Sequence, residues 1–511
     1  MSSTPTVEPA GPGMHMPVSG SPPDFPQVMG HPRPLWMLFM TEFWERFAFY
    51  GMRWALVLYI VAQFYRGDSS GEAPASELYG AYLALVYAAA IFGGYVADKL
   101  IGYQRSILLG AVFMAIGLFL IALPSEQWLK LGLATVIVGN GLFKPIISTM
   151  VGKLYATGDH RRDSGFTIFY MGINMGAFIA PILTGLLAEK VFGSDGMPAY
   201  TAVFIASGIG MLLSLVWFWF GRSQLQGVGA APVAASGNGM GRLLMVAIGT
   251  VVAIPVFYFL LTIEAGLLNW ILLALFVVPA IMLLVEGIRE GSRQRDMVIA
   301  MLIIFGFNVL FWMFFEQAGS SFNFLAQNIV NRDLGGWIFP VGWFQSVNSI
   351  AIITLAPIIA WLWVKMGSAN PSIPRKFGLG LIFNGLAFLL LMLALSSMVD
   401  PETLKIPFWT LFMVYVIQSI GELCLSPIGL SMTTKLAPSR LTGLAMGGWF
   451  LSIAIGNNLS GMFASSVSGE GGMTVASAHA GYTFGFWALL GAGVLLFLIA
   501  PLIQKLMHGV K

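Results

Sequence analysis

From residue 35 onward the chain alternates long apolar runs with short clusters of glycine, proline and charge. Many runs reach the ~20 residues that a helix needs to cross the hydrocarbon core of a bilayer, and the turn-forming clusters mark their ends. The pattern predicts fourteen helices, at 35–64, 77–98, 104–123, 128–155, 163–189, 200–221, 243–263, 266–287, 297–329, 338–366, 375–398, 406–437, 440–468 and 481–507. An even count places both termini on one side. Residues 1–34 break the pattern: they hold nine prolines and no apolar stretch, so neither a signal peptide nor a folded unit is expected there, but a disordered tail.

Composition narrows the class. The chain is 57% hydrophobic and only 10% charged, with a mean hydropathy of +0.81, whereas globular chains carry about a quarter charged residues. A soluble protein is excluded and an all-α polytopic membrane protein is indicated. The net charge of +3 is small and its basic residues are scattered, which gives nucleic-acid binding no support. Cys424 is the only cysteine, so no intrachain disulfide can form, and no cysteine or histidine spacing suits a metal.

Positive charge tests the helix count. With the N-terminus cytoplasmic, the inner segments hold 18 of the 26 lysines and arginines, the outer loops hold 5 (Arg66, Lys130, Lys190, Arg332 and Lys405), and Arg46, Arg53 and Lys144 lie within spans. That asymmetry follows the positive-inside rule, and a miscount by one helix would scramble it. An internal repeat then divides the body. "PIISTMVGKL" at 145–154 and "PIGLSMTTKL" at 427–436 are identical at five of ten positions, each at the same end of its helix. Residues 243–263 and 265–285 carry no charge and read as two accessory, lipid-facing helices. Without them the repeat relates the fourth and tenth core helices. That is a parallel repeat of six, the arrangement of the major facilitator fold, whose sites lie at the midplane between halves. The expected organisation is a cytoplasmic tail at 1–34, a six-helix bundle at 35–221, a linker with the two accessory helices at 222–296, and a second six-helix bundle at 297–511.

Charge inside the spans carries the candidate chemistry. "TEFWERFAFYGMRW" at 41–54 puts Glu42, Glu45, Arg46 and Arg53 within a membrane helix. At about 100° per residue all four share one face of about 140°, with Phe49 and Tyr50. Turned toward lipid, these charges at ~2.5–3.5 kcal/mol each would oppose insertion by on the order of 10 kcal/mol, so the face must look onto an internal cavity or other charges. Lys144, Glu316 and Glu422 are further charges within spans, on core helices 4, 7 and 10. With the cluster on helix 1, every third core helix carries charge toward the centre. Arg46, Arg53 and Lys144 oppose Glu42, Glu45, Glu316 and Glu422, a surplus of one carboxylate that favours taking up a proton. Arg53 and Lys144 could meet a carboxylate and Glu422 an ammonium, poles that suit an elongated zwitterion. Tyr50, Tyr87, Asn174, Trp312, Asn348 and Trp449 are candidate lining groups.

These residues carry a resemblance. "EFWERFAFY" at 42–50 resembles the ExxERFxYY signature of the proton-dependent oligopeptide transporters, and "FYMGINMGAFIAP" at 169–181 resembles that family's FYxxINxGS signature. "FEQ" at 315–317 and "GELCLSPIGLS" at 421–431 look like its helix 7 and helix 10 motifs, and "GGYVADKLIGYQR" at 93–105 is similar to a loop of major facilitators generally. The resemblance implies proton-driven import of di- and tripeptides across a bacterial inner membrane by alternating access, powered by the proton gradient without a cofactor or an obligatory protein partner. It implies proton-coupling roles for Glu42, Glu45, Arg46, Lys144 and Glu316, with Lys144 pairing Glu316 across the halves. It places Arg53 and Lys144 at the peptide carboxylate, Glu422 at its amino terminus, Tyr50, Tyr87, Asn174 and Asn348 along its backbone, and Trp312 and Trp449 in pocket walls. Phe49 stands where the signature has the first tyrosine, and Ala177 where it has serine.

Two rival readings differ in class. A carrier of nitrate or another organic anion on the same scaffold would give Glu422 no ammonium to meet. A membrane enzyme would lack histidine as a general base, since His15, His31, His160, His479 and His508 all lie in tails or loops.

Overall fold

A computed structural model describes residues 21–156, 158–231 and 238–510. Among the described residues, fifteen α-helices follow a two-stranded hairpin, β1 (Gln27–Val28) and β2 (His31–Pro32). They are α1 (Arg33–Phe64), α2 (Glu72–Val96), α3 (Tyr103–Ile121), α4 (Glu126–Gly152), α5 (Arg162–Leu186), α6 (Tyr200–Gly221), α7 (Gly239–Thr262), α8 (Ala265–Glu290), α9 (Ser292–Phe315), α10 (Ser321–Asn328), α11 (Trp343–Met366), α12 (Ile373–Ser397), α13 (Phe408–Leu436), α14 (Thr442–Ser468) and α15 (Val475–Leu506). Helices α9 and α10 form one span with a break at 316–319, so fourteen spans result. Thirteen helical segments among the described residues are long and apolar enough to cross a membrane. The exception, α14, is as long but rich in glycine, serine and asparagine, because it is an interior helix with Asn457, Asn458 and Ser460 all buried.

The helices pack in two groups. Helix α1 lies against α5 and α6, and α4 lies against α2 and α3; likewise α12 lies against α13 and α15, and α9 against α14. Two seams join the groups, α2 against α14 and α5 against α11. The α2–α14 seam is set by glycine. A Cβ on Gly80 would lie 2.6 Å from the Gly461 Cα and 2.9 Å from the Asn457 carbonyl, so only hydrogen lets the backbones approach this closely. The accessory helices stand outside, α7 against α4 and α8 against α9 and α14. Only 6% of the most apolar stretch of α7 is buried, and 17% of that of α8. Each is held on one flank and left apolar on the rest, as a lipid-facing helix should be.

Hydrogen bonds that join the groups gather at the end away from the N-terminus. Glu72 accepts from the Met473 amide at 2.7 Å and the Asn328 side chain at 3.1 Å. Ser465 donates to Glu77, Ser69 to the Gly471 carbonyl (each 2.8 Å), Trp343 to the Ile182 carbonyl (3.1 Å) and Ser346 to the Phe178 carbonyl (2.7 Å). That end of the molecule is closed.

The tail differs from expectation. Residues 1–20 lie outside the described residues, but 21–34 are folded rather than disordered. Phe25 is buried, the hairpin pairs Gln27 with Pro32, and the His31 ring meets the Tyr155 hydroxyl at 2.8 Å. Arg161 ties the hairpin down by donating to the Gln27 side chain (3.0 Å) and the Gly30 carbonyl (3.1 Å). Proline density hid this segment because the anchoring groups come from the distant α4–α5 loop.

Candidate functional site

Helix α1 presents its charges on one face, as the 3.6-residue period requires. The Arg46 guanidinium holds Glu45 by two bonds, Nε to Oε2 at 2.5 Å and Nη2 to Oε1 at 2.6 Å, and lies 3.6 Å from Glu42 Oε1. All three residues are buried, and Glu42 Oε2 has no hydrogen-bond partner among the described residues. Lys144 on α4 sits in the electrostatic field of Arg46, Glu45 and Glu42. The Arg46 guanidinium also lies 4.7 Å from the Phe49 ring centre. Phenylalanine at that position keeps the cation–π contact and drops only the hydroxyl.

Two turns further along α1, Arg53 donates from Nε to the Tyr79 hydroxyl at 2.8 Å and from Nη2 to Glu316 Oε2 at 2.7 Å. Glu316 is the first residue of the break between α9 and α10. Among the described residues this is the one ion pair with both partners buried that joins the two bundles. It corrects the expected pairing of Lys144 with Glu316: Lys144 belongs to the Glu42–Glu45–Arg46 group, and Arg53 takes Glu316. Distance along α1 decides this, since residue 53 lies about 10 Å beyond residue 46 on a helix.

The break is itself held by polar groups that charge counting could not find. The Gln317 amide nitrogen donates to the Ser460 carbonyl and hydroxyl (each 3.1 Å), while its oxygen accepts from Ser321 (2.6 Å), which accepts from Tyr482 (3.0 Å). Gln345 donates to the Ala318 carbonyl, and Asn323 donates to the Trp54 carbonyl at 3.1 Å. Glu316 is therefore displayed from a fixed, non-α turn.

On the other wall, the Asn348 amide of α11 donates to Glu422 Oε2 at 3.1 Å and Ser419 Oγ at 2.9 Å, both on α13. Tyr50 lies between the poles. Its ring centre is 5.9 Å from the Arg46 guanidinium and 5.5 Å from that of Arg53, and its hydroxyl feels Arg53, Arg46, Glu422 and Glu316 together. Tyr87 also feels Glu316, Arg46 and Arg53, and it stacks loosely on Phe450 across the seam, centres 6.5 Å apart. The structure thus brings the seven charges into one connected region, in two groups that Tyr50 bridges.

The remaining candidates are placed less simply. Asn174 donates to the Tyr170 carbonyl one turn back on its own helix, at 3.0 Å. Trp312 donates to Asn308 Oδ1 at 3.0 Å, and Asn308 in turn to Ser452 at 2.9 Å. Trp449 is 3% exposed, packed between Phe305 and Phe377. Tyr79 and Tyr170 join the region without having been singled out. The one available signal was the Tyr79/Tyr82 i,i+3 spacing on α2, which ordinary packing also produces.

Buried charge between two six-helix bundles, with one end latched, defines a membrane transporter of the major facilitator type. The chain belongs to the POT family, whose model matches residues 104–474. It is 35% identical to the uncharacterized transporter YclF of Bacillus subtilis (strain 168), over 94% of this chain and 96% of that one. It is 34% identical to the peptide transporter YePEPT of Yersinia enterocolitica subsp. palearctica serotype O:3 (strain YE-P4), over 94% and 96%. The crystal structure of peptide transporter POT in complex with sulfate superposes with a TM-score of 0.80 at 33% identity, covering 96% of this chain and 98% of that one.

Proposed function

We propose that this chain is a proton-coupled symporter that imports di- and tripeptides by alternating access, seated in a bacterial inner membrane with both termini cytoplasmic. Similarity to a peptide transporter over nearly the whole chain supports the substrate class. The excess of basic residues in the inner segments supports the orientation. The observation that carries the reading is the Arg53–Glu316 pair at 2.7 Å, which joins the two bundles within the electrostatic reach of Glu422.

In the cycle we infer, a proton on Glu316 removes the counter-charge of Arg53. The peptide carboxylate takes its place on Arg53, and the peptide ammonium meets Glu422. Each exchange favours one facing state over the other, which any transport cycle requires. Glu42 and Glu45 supply a second proton-accepting group, poised by Arg46 and Lys144. The proton gradient drives the cycle, and no cofactor takes part.

Uptake of labelled dialanine into proteoliposomes, challenged with excess tripeptide or excess nitrate, tests the substrate class. Tripeptide suppresses uptake and nitrate does not. Suppression by nitrate alone would assign the site to simple anions.

A further inference from the structure

We infer that the accessory helix α7 completes a binding site for one acyl chain of an anionic phospholipid, in the leaflet on the side of the N-terminus. A cavity of about 510 Å³ lies between α2, α4 and α7, and none of the seven buried charges lines it. Ala89, Phe92 and Val96 line it from α2, and Met245, Gly249 and Val256 from α7. Its one polar lining side chain, Thr250, spends its hydroxyl on the Val246 carbonyl of its own helix at 2.8 Å, so a polar solute finds no partner. Phe92, Met245 and Val256 are 70%, 54% and 55% exposed, so the cavity is reached from the lipid phase.

Its dimensions suit one chain. From Met245 to Phe257 the α7 wall runs about 18 Å at 1.5 Å per residue, against about 15 Å for half of a ~30 Å hydrocarbon core. A Cβ on Gly249 would meet nothing within 4 Å, so this glycine leaves a slot in the wall that no protein atom fills. An apolar slot open to lipid is occupied by hydrocarbon, because nothing else in the bilayer wets it at lower cost.

The N-terminal end of the slot is basic. Leu100 lines it beside the exposed Lys99, and Arg105 donates from Nη1 to the Gly239 carbonyl at the start of α7 at 3.2 Å. The nearby acid, Asp98, accepts from the Tyr103 hydroxyl. A phosphate at headgroup level therefore meets cations where the slot opens, and these attract an anionic lipid over a zwitterionic one.

Native mass spectrometry of the full chain, with phosphatidylglycerol or phosphatidylcholine supplied at equal molar excess, tests the site. The wild type retains one phosphatidylglycerol and prefers it to phosphatidylcholine. Lys99→Gln with Arg105→Gln lowers that preference about fivefold per charge removed. Gly249→Phe and, separately, Ala253→Phe fill the slot and abolish retention of either lipid. No retained lipid in the wild type, equal retention of the two lipids, or undiminished retention by both filled variants would each overturn the inference.

Discussion

Glu316→Gln isolates the charge of the pair that joins the two bundles. Glutamine keeps the shape and can still accept from Arg53, so the change removes charge and little else. Both side chains are about a tenth exposed, so solvent screens the pair weakly. A hydrogen bond between charged groups is worth about 1.5–3 kcal/mol and a neutral one about 0.5–1.5 kcal/mol. The variant thus loses about 1–2 kcal/mol from the state closed at the end away from the N-terminus, a roughly 5- to 30-fold shift toward opening. The hydroxyl of Tyr79, 2.8 Å from Arg53 Nε, remains and keeps the arginine in place. Because glutamine imitates a permanently protonated glutamate, opening no longer waits for a proton. Proteoliposomes carrying the variant should exchange labelled dialanine for unlabelled dialanine at a rate comparable to wild type, yet fail to accumulate it when an inward proton gradient is imposed. Uphill accumulation by Glu316→Gln, at wild-type level, would refute the reasoning and remove this pair from coupling.

Three other outcomes follow from the same structure. Lys144→Ala leaves the Glu42–Glu45–Arg46 group one cation short and should abolish proton-driven accumulation, read in the same uptake assay. Gly80→Ala puts a methyl group 2.6 Å from the Gly461 Cα; overpacking of this kind costs about 1–3 kcal/mol, so the melting temperature should fall and exchange should slow. Arg161→Ala should release the N-terminal hairpin, seen as faster proteolysis within residues 21–34. The Arg161–Asp159 part of that clamp should be unchanged between pH 5 and 8. Hydrogen bonds from Arg161 pull the Asp159 carboxyl down from 3.8 to about 2, so its contribution is complete above the unfolded value and fades only as pH falls toward 2.

The number of spans, the accessory helices and the inward-facing charges were legible because a bilayer penalises charge and irregular backbone so heavily. Charge identity was legible; charge pairing was not. Arg53 and Lys144 are both cations near the centre, and only the register of α1 against the break at 316–319 assigns Glu316 to Arg53. That break was invisible because residues 297–329 read as one apolar run, while the groups that fix it, Ser460 and Tyr482 among them, arrive from helices far along the chain. Trp449 reads as an aromatic near the site, but its packing against Phe305 and Phe377 could not be seen from spacing. The folded hairpin at 27–32 was missed for the same reason, since Tyr155 and Arg161 hold it from more than a hundred residues away.

The most direct measurement is the internal concentration of labelled dialanine in proteoliposomes holding the wild-type protein, followed with and without an imposed inward proton gradient. The cluster of opposed charges predicts accumulation above the external concentration with the gradient, and simple equilibration when a protonophore dissipates it. Equal internal and external concentrations under both conditions would mean that these charges do not tie proton to peptide.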